Sequence, residues 1–100
     1  MTDSVELVRD MAVTHDEFYR LIRKTIVDSD KIKIDSNKAM INIPFANGHV
    51  DIRLDKQQTR KIASLSISHT LIHFDFVGLS KKEIESYMQK FDMTFQKGGG

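Results

Sequence analysis

The sequence predicts an α+β fold: a two-layer sandwich running helix – five-stranded antiparallel meander – helix, with both helices on one sheet face. Three observations predict it. Two stretches near the ends carry the same helix-start grammar. The segment between them alternates apolar and polar residues with a period of two, as a half-buried strand must. Asn47-Gly48 stands between two such runs, a strong short-range hairpin signal.

In "VTHDEFYRLIRKTI", Thr14 is an N-cap and Glu17 lies three residues on, which is a capping box. Val13 and Phe18 flank it as a hydrophobic staple, and Phe18, Leu21, Ile22, Thr25 and Ile26 line one face. In "LSKKEIESYMQKFDMTF", Ser80 and Glu83 repeat the box, and Leu79 with Ile84 repeats the staple. Ile84, Met88, Phe91 and Phe95 form its stripe, with Tyr87 beside them. Residues 1–12, "MTDSVELVRDMA", are read as either a short helix or a flexible tail.

The five expected strands place Ile32 and Ile34, then Ile41, Ile43 and Phe45, then Val50, Ile52 and Leu54 on the covered face. Ala63, Leu65 and Ile67 follow, then Ile72, Phe74 and Phe76. The hairpin at Asn47-Gly48 pairs Phe45 with Val50, Ile43 with Ile52 and Ile41 with Leu54. A tight turn at His69-Thr70 joins the last two strands. Pro44 lacks a ladder donor, so a bulge or a missing pairing is expected beside it.

The open face then carries rows of polar side chains. One row is Lys33, Asn42, Arg53, Ser64, Asp75, and the next is Lys31, Pro44, Asp51, Ser66, His73. Arg53, Ser64, Ser66, His73 and Asp75 form its centre, and a protein partner is expected to dock there. Phe45, Phe74 and Phe76 fall on the covered face, which leaves no ring to stack bases and argues against nucleic acid. The histidines His49, His69 and His73 with Asp75 hold metal-type ligands, but a turn and a strand do not give their spacing a shared face. No Gly-rich phosphate loop, nucleophile elbow or zinc-protease helix is present, and the expectation is a non-enzymatic module without a cofactor.

Composition is consistent with one domain over residues 1–100: 40% apolar, 29% charged, net charge +1 and no cysteine. No apolar run reaches membrane-spanning length, and the start lacks a basic stretch followed by an apolar one. A cytoplasmic protein is the expectation, and the missing cysteines fit a reducing compartment.

The order of elements resembles the frataxin family, with "DEFYRL" in the first helix, "FANG" at a hairpin and "HFDF" in a late strand. That resemblance implies iron binding on an acidic ridge and a place in iron–sulfur cluster assembly. The ridge positions here would be Asp16, Glu17, Asp28, Asp30 and Asp35, with iron or zinc as the ion. A third reading concerns "KGGG": Gly99 and Gly100 would let an activating enzyme close on a slim C-terminus, as in Gly-Gly carrier proteins. The simpler expectation is that Gly98 ends the helix and residues 98–100 fray.

Overall fold

The computed structural model describes residues 4–98. Its layout is the expected α+β sandwich with both helices on one face, but the sheet has six strands. They are β1 (Ser4–Met11), β2 (Lys33–Asp35), β3 (Met40–Pro44), β4 (His49–Leu54), β5 (Gln58–Ile62) and β6 (Leu65–Val77). The order across the main sheet is β1-β6-β4-β3-β2, all neighbours antiparallel, and β5 pairs with β6 beyond it.

The helices are α1 (His15–Ile22) and α2 (Lys81–Gly98). Both capping boxes form. The Thr14 hydroxyl accepts from the Glu17 amide and Glu17 accepts from the Thr14 amide. Ser80 and Glu83 do the same at α2. All four staple residues are buried. After Ile22 the chain tightens into a 3-10 turn at Arg23–Thr25, where the Thr25 hydroxyl donates to the Ile22 carbonyl and meets the Tyr87 hydroxyl. Phe18, Phe74, Phe91, Phe95 and Tyr87 form one linked set of rings between sheet and helices, with neighbouring centroids 4.2–6.4 Å apart. Ile41, Ile43, Val50, Ile52, Ile72 and Phe76 complete the sheet side of this core.

Four expectations need correction. Residues 4–11 are neither helix nor tail but the edge strand β1, in register with the end of β6 from Ser4↔Val77 to Met11↔Thr70. Its alternation was masked by Arg9, which stands on the helix side and reaches Asp92 of α2 at 3.5 Å. The β3–β4 hairpin is two residues out from the expected register, with Ile43 opposite Val50 and Ile41 opposite Ile52. The Phe45 amide donates to the Gly48 carbonyl, so Ala46 and Asn47 form the loop. Gly48 is needed for another reason: a Cβ there would overlap the Val77 carbonyl oxygen. Facing it, Gly78 takes the left-handed φ of 75°. A shift of two preserves parity, so the inward residues are still the expected ones.

There is no turn at His69-Thr70. β6 runs straight through it for 13 residues. The turn comes earlier, at Ala63-Ser64, and Ala63 has a positive φ of 56°, as primed-type two-residue hairpin loops require at that position. Asp55 donates its amide to Leu71, while Gln58 lies opposite His69. Lys56 and Gln57 therefore stand opposite Thr70 alone, a one-residue bulge at which β5 continues the line of β4. The result is a two-stranded arm leaving the body of the sheet. Ala63, Leu65 and Ile67 are exposed on it and not part of the core. The pairing gap beside Pro44 is present, since β2 reaches only as far as Asn42 along β3. Gly99 and Gly100 lie outside the described residues, and α2 reaches Gly98.

Candidate functional site on the open sheet face

Parity places Glu6, Val8, Asp51, Arg53, His73 and Asp75 on the face turned away from the helices. The pairings bring them into two adjacent rows. Asn42, Asp51, Asp75 and Glu6 form one, and Met40, Arg53, His73 and Val8 form the other. All of these but Asn42 line a shallow depression of about 300 Å³.

Of the five expected partner-face residues, Arg53, His73 and Asp75 meet here. Ser64 does not, because it is in the arm's turn, and Ser66 does not, because it lies opposite Lys61 on the arm. The lost turn at His69-Thr70 is the cause. With β6 continuous, β4 lies directly against Ile72–Val77, and no serine strand comes between them.

Asp55, which the sequence did not single out, is the hub of the site. One of its carboxylate oxygens accepts from His73 Nε2 at 2.9 Å, and the other from Arg53 at 2.7 Å. Its main-chain carbonyl accepts from His15 Nε2 at 2.8 Å, and the Gln57 side chain accepts from the His15 amide. The start of α1 is thus tied to the bulge from which the arm departs. The His73 hydrogen bond, with the nearby Arg53 charge, holds the Asp55 carboxyl below the usual carboxylate range against a smaller opposing effect of burial. Asp55 follows Asp51 and Arg53 at the same parity, a signal that could have found it.

Three carboxylates are neighbours across the strands: Glu6, Asp75 and Asp51. Asp51 accepts from the Asn42 side-chain amide at 2.7 Å and lies 3.2 Å from His49. Asp75 Oδ1 is enclosed and finds no hydrogen-bond partner among the described residues. Such an oxygen is costly to leave unsatisfied.

The histidines do not converge. His49, His69 and His73 each face a different aspartate: Asp51, Asp10 and Asp55. The ridge residues are likewise dispersed. Glu17 closes its capping box, and Asp35 accepts from the amides of Asn37 and Lys38. Asp28 lies 3.8 Å from Lys31, and Asp30 is exposed in the 3-10 turn Ser29–Lys31. Asp16 stands in the first turn of α1, where it and Asp35 add to the effect of burial in pushing the Tyr19 hydroxyl up. Among the described residues, no three metal-capable side chains gather around one point. No helix among the described residues is long and apolar enough to cross a membrane.

No protein-family model matches the chain, and neither the curated proteins nor the solved structures compared with it contain a significant match.

Proposed function

We propose that the protein is a non-enzymatic binding module that docks a protein partner on its open sheet face. The observation that supports this is the depression around Asp75. It combines an enclosed carboxylate oxygen that has no partner among the described residues with the exposed apolar side chains of Val8 and Met40. Apolar area beside an unsatisfied acceptor suits a partner that presents a Lys or Arg within an apolar contact. The Arg53–Asp55–His73 set holds the face in shape, so the partner meets a preorganised surface.

The test is site-specific photo-crosslinking in the native cell. A photoreactive residue at Met40 is expected to capture a partner that the same residue at Met93, exposed on α2, does not. Asp75→Ala and Arg53→Ala are expected to weaken that capture at least tenfold. Capture undiminished in both variants would overturn the reading.

A further inference from the structure

Of the eight large apolar side chains exposed among the described residues, Val5, Val27 and Met93 stand elsewhere and the other five share one face. Val8, Met40, Ile62, Leu65 and Ile67 are between 37% and 64% exposed. Strand parity puts all five on the open side. They form two clusters. Val8 and Met40 flank His73 and Arg53 at one end. Ile62, Leu65 and Ile67 occupy the arm at the other. A second shallow depression, lined by Asp10, Ala12, Arg60, Ile62, Ile67 and His69, lies at the base of the arm.

Charge divides in the same way. From Lys56 to Thr70 the chain has Lys56, Arg60 and Lys61 and no carboxylate. The far end of the face carries Glu6, Asp51 and Asp75. By strand parity Arg60 is on the open side of the arm, 3.7 Å from Asp10, and Lys61 is on the opposite side with Ser66, so the arm's open side is apolar with one basic side chain, and the depression is apolar and acidic. Each is the complement of the other, and both belong to one chain.

From this we infer that the partner on the open face is a second copy of this chain, bound reciprocally, each arm lying across the other's acidic depression. This rests on the open-face reading above. Leu65 and His73 are eight residues apart on β6, roughly 26 Å at the usual rise per residue. A twofold axis crossing the face near His69 lays each Leu65 over the other copy's His73, between Val8 and Met40. The contact is isologous and closes on itself. An overlay that instead matched equal ends would set the Glu6–Asp75–Asp51 row against its own copy.

Size permits it. The molecule measures 48 × 27 × 26 Å, so the open face projects to at most about 1,300 Å², and roughly three fifths of that per copy reaches the roughly 800 Å² of a standard interface. A net charge of +1 sets up no long-range repulsion between copies. Nucleic acid fits less well, because the arm shares its face with Glu6, Asp10, Asp51, Asp55 and Asp75, all of which repel phosphate.

The experiment is sedimentation velocity on the untagged full chain across the micromolar range, joined to disulfide mapping. The chain has no cysteine, so introduced thiols report alone. A dimer is expected, and Leu65→Asp is expected to convert it to monomer with unchanged circular dichroism, and with an unchanged melting temperature only at concentrations where both proteins are monomeric. Leu65→Cys protein mixed with Val8→Cys protein is expected to form a mixed disulfide dimer, and Leu65→Cys mixed with Val27→Cys is not. A monomer up to about 100 µM would overturn the inference, as would a dimer indifferent to Leu65→Asp or one linked arm to arm. A monomer that binds a labelled DNA duplex through Lys56 and Lys61 would overturn it in favour of nucleic acid. None of these results touches the open-face reading, which falls only if Arg53→Ala and Asp75→Ala leave the crosslinked partner in place.

Discussion

The two halves of β6 have nearly the same composition of alternating apolar residues and opposite fates. From Ile72 to Val77 the strand has neighbours on both edges and a helical layer over Ile72, Phe74 and Phe76. From Leu65 to His69 it has β5 on one edge, and Leu65 and Ile67 meet solvent. The difference teaches that apolar alternation identifies a strand but not what covers it. The first half is made rigid by its neighbours. The second is a two-stranded ribbon, a structure that is marginal by itself and gains order from contact.

The comparison breaks most visibly under truncation. Phe91 packs against four rings of the core and is fully buried, so Phe91→Ala is expected to cost about 3–5 kcal/mol, a large part of a small domain's stability. Leu65→Ala, measured at low concentration where copies are apart, is expected to stay within about 0.5 kcal/mol. Urea midpoints compare the two, and a Leu65→Ala loss near that of Phe91→Ala would show the arm to be part of the core. Acid has an intermediate effect. Glu17 and Glu83 are held low by their hydrogen bonds to Thr14 and Ser80, and Asp55 is held low by His73. Their stabilisation is fully present above the unfolded carboxyl values of roughly 4 and is lost as pH falls through the lower folded values. The urea midpoint is expected to hold from pH 7 to about 5 and then drop, and Asp55→Asn is expected to flatten that drop. The smallest effect is at the arm's turn. Ala63 has a left-handed φ that costs a non-glycine residue about 1 kcal/mol, so Ala63→Gly should slow amide exchange at Ile62 and Leu65. The melting temperature is expected to stay where it is, because Ile62, Leu65 and Ile67 of the arm are exposed and outside the buried core.

Local signals read well from the sequence because local chemistry settles them. Both capping boxes and the α2 stripe are where Thr14, Glu17, Ser80 and Glu83 put them, and the first stripe is helical through Ile22, with Thr25 in the 3-10 turn and Ile26 already extended. The inward faces of β3, β4 and the end of β6 follow from alternation alone. The misreadings share one cause. In β6 the apolar residues are odd-numbered from Leu65 to Leu71 and even-numbered from Ile72 to Phe76. A phase slip of this kind fits a turn that keeps one covered face, and it fits equally a straight strand whose halves are apolar on opposite sides. Nothing local distinguishes the two, and the straight strand was the outcome. That choice moved Ser64 and Ser66 away from Arg53, and it brought Glu6 and Val8 of β1 beside His73 and Asp75. Alternation puts Asp55 on the open face but does not show it as a hub, because its three contacts come from β4, β6 and α1, and only tertiary structure unites them.

The bulge at Lys56 and Gln57 has a consequence for how such a chain can change over generations. The arm's register is fixed by its own turn, and the body's register is fixed by the core. The extra residue absorbs whatever mismatch lies between them, and His15 pins it in place. One cross-strand pair added or removed at the tip would lengthen or shorten the arm by about 3.3 Å and turn over the chemistry of its end, with no buried side chain moved. The arm is therefore free to drift in reach and surface chemistry while the fold that carries it stays fixed.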